Sequence, residues 1–313
     1  MKYTYGPVPS RRLCNSLGID IVPFKICSFD CIYCQLGRTR IKTVRRESYF
    51  PAPEIREDIQ QALKTDSSID FITFSGSGEP TLNRDLGRLI SMVKELTDIP
   101  VAVITNGSLL WKKEVREALF EADLVLPSLD AGSEPLFQYI NRPHSSLYLE
   151  NIVNGLIDFQ SKYMGQMWLE IFLLGGVNAI QNEIEKIAIA VASIQPNKVQ
   201  LNTAVRPPAE PFVFPLSREQ MERYVNIFPC PTEIIADYDR PSEKHIVSPI
   251  PSRLQELLKR RPCTIEDMSS ALQIHRNELV KYLDALQKEG TVKSSRHDGR
   301  VYFVTQELHM HVK

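Results

Sequence analysis

Three cysteines in one short segment have the clearest chemical potential in this chain. Cys27-Ser-Phe-Asp-Cys31-Ile-Tyr-Cys34 places three thiols at C-x3-C-x2-C spacing. A loop of this length wraps three thiolates around one face of an iron–sulfur cube, whereas a cluster that only carries electrons has a fourth cysteine. We therefore predict a [4Fe–4S] cluster with one iron left open for catalysis. The other cysteines are Cys14, Cys230 and Cys263.

Zinc is the alternative metal that such a segment could bind. Zinc sites take four ligands, commonly two C-x2-C pairs or a cysteine pair with histidines. The first histidine in the chain is His144, so the segment cannot complete a tetrahedral site locally. The spacing therefore favours a cluster over zinc.

The elements that must position these thiols alternate along the first three-quarters of the chain. Short apolar runs predict strands, and amphipathic stretches between them predict helices, so the pattern indicates a parallel sheet with helical crossovers. Six units are fewer than the eight of a closed barrel. We therefore predict an α/β fold with a partial (β/α)6 TIM-like barrel, whose function gathers at the carboxyl ends of the strands. The predicted strands are Leu17–Val22, Phe71–Ser75, Val101–Thr105, Leu124–Leu129, Trp168–Leu173 and Lys198–Asn202. The predicted helices are Pro53–Leu63, Asp85–Leu96, Glu114–Glu121, Leu149–Tyr163 and Gln181–Ile194.

Polar and glycine residues follow several of these strands. The run Ser75-Gly-Ser-Gly-Glu-Pro-Thr81 follows the second strand, and its glycines allow a ligand to approach the backbone closely. It matches neither a phosphate loop nor a dinucleotide fingerprint. Glu170 and Asn202 sit within apolar strands, where an unpartnered polar group is costly, so ligand contact is plausible for both.

The cysteine motif, with an aromatic residue at Tyr33, resembles that of the radical S-adenosylmethionine superfamily over about residues 1–230. The resemblance implies that the open iron binds S-adenosylmethionine, whose reductive cleavage gives a 5′-deoxyadenosyl radical. It also implies a one-electron reductant protein such as a ferredoxin or flavodoxin as partner.

The same resemblance suggests cofactor-binding residues. Ser77-Gly78-Glu79 is similar to the family's Gly-Gly-Glu motif, which holds the methionine ammonium, with serine in place of the first glycine. Tyr33 is expected to border the adenine. Asn106, Ser128 and Asp130, at the ends of the third and fourth strands, are expected at the rim of the site, with strand-end capping as the alternative. No catalytic residue acting on the substrate is assigned.

The remainder of the chain predicts a second unit. A proline-rich stretch precedes three helical patterns, Ser252–Lys259, Thr264–Leu272 and Arg276–Glu289, and a hairpin that turns at His297–Arg300. This order is typical of a winged helix-turn-helix. We predict a barrel domain at 1–235, a linker at 236–251 and a winged helix-turn-helix domain at 252–313.

The composition and charge of the chain indicate its protein class and its cellular location. Hydrophobic residues make up 43% of the 313 residues and the net charge is −1, which favours a globular protein without a general affinity for polyanions. There is no leader-like or membrane-spanning run, and cysteines in such a chain usually serve metals or catalysis in a reducing compartment. We predict a cytoplasmic location and no membrane partner.

Local charge and further motifs bear on the substrate. Residues 1–49 hold nine basic and three acidic side chains, which suits an anionic substrate, although a solvated or ion-paired face is the alternative. Arg11, Arg12, Arg142 and Arg206 are candidate substrate contacts. The opening Gly6–Arg12, together with Ser75–Leu82 and Asn141–His144, resembles a branch related to wyosine-forming tRNA enzymes. Those enzymes hold a second cluster on further cysteines, and only Cys14 precedes the triad here.

Three hypotheses for function follow. The first is a radical enzyme that modifies RNA or another macromolecule. The second is a radical enzyme that acts on a peptide or small molecule. The third is a non-enzymatic iron–sulfur regulator that reads DNA, which the glycine–glutamate turn beside an open iron disfavours. Substrate, product and oligomeric state are not readable from the residues.

Overall fold

The protein is described here from a computed structural model, which covers residues 2–10, 12–65, 68–205, 208–236, 250–272 and 276–306. The predicted residues Arg11 and Arg206 and most of the predicted linker lie outside these ranges. No helix within them is long and apolar enough to cross a bilayer.

The strands are β1 Thr4–Ser10, β2 Cys14–Ile19, β3 Ile26–Cys27, β4 Ile41–Lys42, β5 Phe71–Phe74, β6 Val101–Thr105, β7 Leu124–Pro127, β8 Gln166–Leu173, β9 Lys198–Thr203, β10 Thr232–Ile234, β11 Val292–His297 and β12 Arg300–Thr305. The helices are α1 Ala52–Thr65, α2 Leu86–Leu96, α3 Lys113–Leu119, α4 Glu134–Asn141, α5 Leu149–Gln160, α6 Gln181–Ile194, α7 Arg218–Val225, α8 Ile250–Arg260, α9 Ile265–Leu272 and α10 Arg276–Lys288.

The main sheet has the order β1-β2-β5-β6-β7-β8-β9-β10. Strands β2 to β10 of this sheet run parallel to one another, and β1 pairs antiparallel with β2 at one edge. All six predicted strands form the centre of the sheet, with ends that differ by up to three residues. The predicted α/β partial barrel is confirmed.

The two edge strands and two helices are absent from the prediction. Strand β1 contains Pro7 and Pro9, which read as strand breakers. An edge strand tolerates proline, because one side of its backbone has no ladder hydrogen bonds to donate. Strand β10 and helix α7 lie in the proline-rich stretch that we interpreted as a closing segment, and α4 is a short helix after β7.

Helices pack on the outside of the sheet around one large apolar core. Ile72, Val103 and Val125 of the strands are fully buried against residues such as Leu89 and Ile184 of α2 and α6. Inside the barrel, Leu13 from the β1–β2 turn packs against Ala102, Leu124 and Leu126, so the turn fills the barrel interior.

Residues 250–306 build a second unit with a core of its own, around Leu254, Leu258, Leu279 and Leu283. Helices α8, α9 and α10 precede the antiparallel hairpin β11–β12. These are the elements that the winged helix-turn-helix prediction requires, and that assignment stays a prediction. Helix α8 begins at Ile250, two residues before the predicted domain start.

Candidate functional site

The three cysteines lie on a loop that is fixed to its neighbours by backbone hydrogen bonds. Asp30 and Ile32 donate their N–H groups to the carbonyls of Asn141 and Ile140, each at 2.9 Å. Cys27 ends β3, which pairs with β4. These contacts tie the loop to α4 and hold the three thiols, which are half-buried, at the carboxyl ends of the barrel strands.

Each sulfur has at least one N–H donor beside it, and that of Cys27 also accepts from the backbone N–H of Phe29 at 3.5 Å. The amide nitrogens of Asn106 and Asn141 lie 3.5 Å from the sulfurs of Cys27 and Cys31 respectively. The Nζ atom of Lys25 lies 3.2 Å from the Cys34 sulfur, and Lys25 is buried, with 4% of its surface exposed. Sequence reasoning missed Lys25 as a site residue, because a lysine on a loop is ordinarily solvated.

The surroundings of the thiols disfavour their charged form. Burial and the nearby carboxylate of Glu79 raise the pKa of Cys27 to about 12. Burial likewise raises the pKa of Cys31 well above its usual range, with Asp130 adding to the effect. Metal ligation requires thiolates, so a bound cation must compensate their charge.

The arrangement of the side chains distinguishes a cluster from a single ion. Among the described residues, no three His, Cys, Asp or Glu side chains lie close enough together to hold one ion. Zinc requires all of its ligands on one metal, whereas a cubane binds each cysteine through a different iron. The thiols therefore fit a cluster better than zinc.

The Ser75–Glu79 turn packs directly against the cysteine loop. Lys25 N–H donates to the Ser77 carbonyl at 2.7 Å, and Glu79 N–H donates to the Ile26 carbonyl at 3.1 Å. A Cβ atom on Gly78 would lie 2.3 Å from the Ile26 oxygen, so only glycine allows this approach.

The carboxylate of Glu79 joins the ends of β5 and β6. It is buried and accepts hydrogen bonds from the N–H and hydroxyl groups of Thr81, the hydroxyl of Thr105 and the N–H of Asn106, at 2.5–3.0 Å. Burial raises its pKa, and these four donors oppose the rise. In the structure Glu79 therefore positions the strand ends, and its predicted contact with a methionine ammonium stays a prediction.

Ser77 is held by an acidic residue that sequence reasoning did not select. Both the N–H and the hydroxyl of Ser77 donate to Asp20 Oδ2, at 3.1 and 2.6 Å. Gly76 adopts φ of +156°, and a Cβ there would lie 2.3 Å from the Asp20 carboxyl carbon. The available signal for Asp20 was an acidic residue within the predicted apolar strand Leu17–Val22.

Tyr33 and Asp130 meet on the other side of the loop. The Tyr33 ring stacks on Phe172 with centroids 4.0 Å apart, and its hydroxyl donates to Asp130. Asp130 also accepts from Asn141 Nδ2 at 2.7 Å and from Phe172 N–H at 3.0 Å. Burial raises the pKa of Asp130 to about 6, although these hydrogen bonds lower it.

A second polar group lies inside the barrel. Arg12 of the β1–β2 turn forms an ion pair with Glu170 of β8. Glu170 also accepts from Asn202 of β9 at 2.7 Å and from the hydroxyl of Ser128 at 3.5 Å. The structure thus brings together four residues that the sequence suggested separately, and we call them the interior network.

Other basic residues near the site are paired. Arg142 and Arg38 both donate to Glu210, at 2.5 and 2.6 Å. Lys2 pairs with Glu54. The charge of the N-terminal region is therefore partly neutralised, as the alternative interpretation of that region expected.

One cavity borders several of these features, and we call it the chamber; Cys34, Tyr33 and Asp130 are not among the residues that line it. It has a volume of about 380 Å³, which suits a small-molecule site. Its wall includes Cys27 and Cys31, the Ser75–Glu79 turn and Arg12. From the second unit, α8 contributes Arg253, Glu256, Leu257 and Arg260 to the same wall.

The comparisons with known proteins define the class. A family model described as the radical SAM superfamily matches residues 21–189, so the chain belongs to the radical SAM superfamily. A radical SAM methyltransferase from Sphaerobacter thermophilus has a similar fold, with a TM-score of 0.56 and 17% identity over 72% of this chain and 67% of that one.

Sequence relatives place the chain more narrowly. A UPF0026 protein of Methanocaldococcus jannaschii is 39% identical over 230 residues, which cover 73% of this chain and 71% of that protein. The chain is therefore a member of the UPF0026 family. A Brachyspira hyodysenteriae protein named GTPase Obg is 40% identical over 304 residues, or 95% of this chain. The chain spans only 44% of that protein's length.

The class-level predictions are therefore confirmed: the recognised superfamily, the enzyme class and, at the level of the superfamily, the two cofactors. The match does not identify individual ligand residues. Cys14, Cys230 and Cys263 lie outside the loop, at the start of β2, near β10 and in the core of the second unit.

Proposed function

We propose that this chain is a radical S-adenosylmethionine enzyme that modifies an RNA or other macromolecular substrate. The observation that carries the proposal is the cysteine loop: three thiols on one fixed loop, two of which line a chamber of cofactor size. A cluster held by Cys27, Cys31 and Cys34 would, when bound and reduced, supply the electron for reductive cleavage of S-adenosylmethionine and hence the radical chemistry for hydrogen abstraction. The residues present fit such a group, because three cysteines on one loop supply thiolate ligands and N–H donors lie beside their sulfurs.

In this proposal the chain's own residues bind and orient the cofactors. Cys27, Cys31 and Cys34 hold the cluster, and Lys25, Asn106 and Asn141 donate N–H groups to their sulfurs. Hydrogen bonds to cluster sulfurs tune the reduction potential. An external one-electron reductant protein, such as a ferredoxin or flavodoxin, supplies the electron.

Residues around the loop would hold S-adenosylmethionine. The Ser77-Gly78-Glu79 backbone and carboxylate border the position of the methionine ammonium. Asn106, Ser128 and Asp130 lie at the ends of neighbouring strands, and Tyr33 lies against Asp130. Helix α8 and strand β1 contribute further residues to the wall of the chamber.

Anaerobic reconstitution with iron, sulfide and a reductant tests the reaction class. We expect 5′-deoxyadenosine from the wild-type chain and none from Cys31→Ala. Cys230→Ser serves as the matched control, because Cys230 lies outside the loop, and it should retain the activity. Equal product from Cys31→Ala and wild type would refute the proposal.

Salt dependence tests the substrate. Affinity for an RNA falls steeply with salt, because bound phosphates release counterions. We expect that the affinity for single-stranded RNA decreases strongly between low and physiological salt. Absence of RNA binding at low salt would leave the peptide or small-molecule hypothesis.

A further inference from the structure

Two arginines from distant parts of the chain present buried N–H groups that have no acceptor. The Nη1 atoms of Arg12 and Arg253 are inaccessible to solvent and lack a hydrogen-bond partner among the described residues. Both residues line the chamber. Because a buried donor without an acceptor loses its hydration without compensation, this pattern indicates a ligand that carries acceptors.

The two terminal nitrogens of the Arg12 guanidinium have different surroundings. One nitrogen, Nη2, is paired with Glu170, which Asn202 holds in turn. The guanidinium is rigid and planar, so this pairing also fixes the direction of Nη1. One half of the group is therefore neutralised, and the Nη1 donor of the other half lies buried without an acceptor.

Arg253 lies on helix α8, which the contacts of Arg260 attach to the barrel. Arg260, two turns further along the helix, donates to Asp20 and, at 3.2 Å, to the Ser77 hydroxyl. Its guanidinium also lies 4.2 Å from the centre of the Tyr5 ring. These contacts fasten α8 to the barrel beside the Ser75–Glu79 turn.

The chamber is distinguished by its unpartnered hydrogen-bond donors and not by an excess of positive charge. Four arginines line the chamber: Arg12, Arg253, Arg260 and Arg261. Two lining carboxylates, Glu79 and Glu256, together with the ion-pair partners Asp20 and Glu170, balance them four to four. The chamber is therefore not a general attractor of anions, and it favours an oxyanion that accepts from the two unpartnered donors.

We propose that Arg12 and Arg253 bind a phosphate group of the substrate within the chamber, which makes α8 part of the substrate site. The inference rests on the proposed function, because an RNA supplies that phosphate. Guanidinium groups bind phosphate through charge-assisted hydrogen bonds. The chamber volume of about 380 Å³ lies in the range of small-molecule sites.

The methionine carboxylate of S-adenosylmethionine is a second source of an oxyanion, and the experiment separates the two. Inorganic pyrophosphate and, separately, glutarate are titrated calorimetrically into the full chain at constant ionic strength. The variants are Arg12→Gln and Arg253→Gln. The matched control is Arg223→Gln on α7, whose side chain is exposed and pairs only with Glu219 among the described contacts.

We expect pyrophosphate to bind the wild type, and each chamber variant to weaken its binding at least about tenfold, the effect of one lost charge-assisted hydrogen bond. Arg223→Gln should change it less than about twofold. Glutarate should bind more weakly than pyrophosphate. Because Arg12→Gln leaves Glu170 unpaired, the double variant Arg12→Gln, Glu170→Gln is measured as well, and it should be folded and equally weak in binding.

Several results would overturn the inference: no pyrophosphate binding by the wild type, unchanged binding in a folded double variant, or equal binding of glutarate. If the variants weaken S-adenosylmethionine binding to the reconstituted protein by the same factor as pyrophosphate binding, the arginines hold the cofactor carboxylate instead. The titration needs no cleavage of S-adenosylmethionine, and the 5′-deoxyadenosine assay needs no substrate. Each proposal can therefore fail without the other.

Discussion

The cysteine loop and the interior network are both polar and both buried, but they are completed in different ways. The loop gathers three thiols, and the groups around Cys27 and Cys31 raise their pKa values. The interior network pairs Arg12 with Glu170 and adds an amide from Asn202. The first arrangement gathers thiols that become charged ligands only when a metal binds, whereas the second is nearly satisfied by the protein itself.

This difference indicates that one region serves the chemistry of the protein and the other serves its folding and geometry. A region that is incomplete without a metal is poorly explained by stability, so its role is chemical. A buried ion pair contributes little net stability but fixes geometry, and its removal is costly when one partner remains. We therefore expect substitutions in the loop to abolish activity and substitutions in the network to affect folding and substrate position.

The largest effect is expected from Cys27→Ala. Loss of one of three thiolates should leave the cluster unbound, so iron content after reconstitution and 5′-deoxyadenosine formation should both fall to background. Cys230→Ser is the control. The free energy of unfolding should change little compared with the loss of iron and of activity. Full iron content in Cys27→Ala would contradict the contrast between the cysteine loop and the interior network.

Glu170→Ala should have the largest effect on stability. It leaves the Arg12 guanidinium buried and without its partner, at a cost of about 3–5 kcal/mol in the free energy of unfolding. Urea denaturation measures this cost. The double variant Arg12→Gln, Glu170→Gln should recover most of it, and failure to recover would show that the pair does not act as a unit.

Glu79→Gln should destabilise the protein by about 1–3 kcal/mol, because the amide places a donor among groups that are themselves donors. Glu95→Gln, at an exposed position of α2, is the control for the change in charge. Denaturant unfolding of both variants gives the comparison. A Glu79→Gln cost no greater than the control would mean that the carboxylate is not needed to join β5 and β6.

The smallest effect is expected from Lys25→Met. Burial lowers the pKa of this ammonium, but the neighbouring Cys34 and Cys27 sulfurs raise it more, so it stays charged. Its removal should lower the midpoint potential of the reconstituted cluster by on the order of 60 mV, the one-electron equivalent of a tenfold effect. Lys42→Met, whose ammonium contacts only the Arg142 carbonyl among the described contacts, is the control in the same redox titration. An equal potential in both variants would remove Lys25 from the set of groups that tune the cluster.

Local chemistry made the cysteine loop and most of the barrel predictable. Cys27, Cys31 and Cys34 are neighbours in the chain, so their spacing alone restricts what they can bind. The six central strands are buried on both faces, and continuous apolar runs such as Val101–Thr105 are the direct result. The edge strand β1 was missed because proline at an edge obeys a different rule from proline at the centre.

Only the tertiary structure decided how single polar residues combine. Arg12 and Glu170 are separated by 158 positions, and Arg260 and Asp20 by 240. No spacing in the sequence relates such residues, because the curvature of the sheet and the packing of α8 bring them together. For the same reason Lys25, which reads as a solvated loop residue, is a buried cation beside a thiol only once the loop has folded.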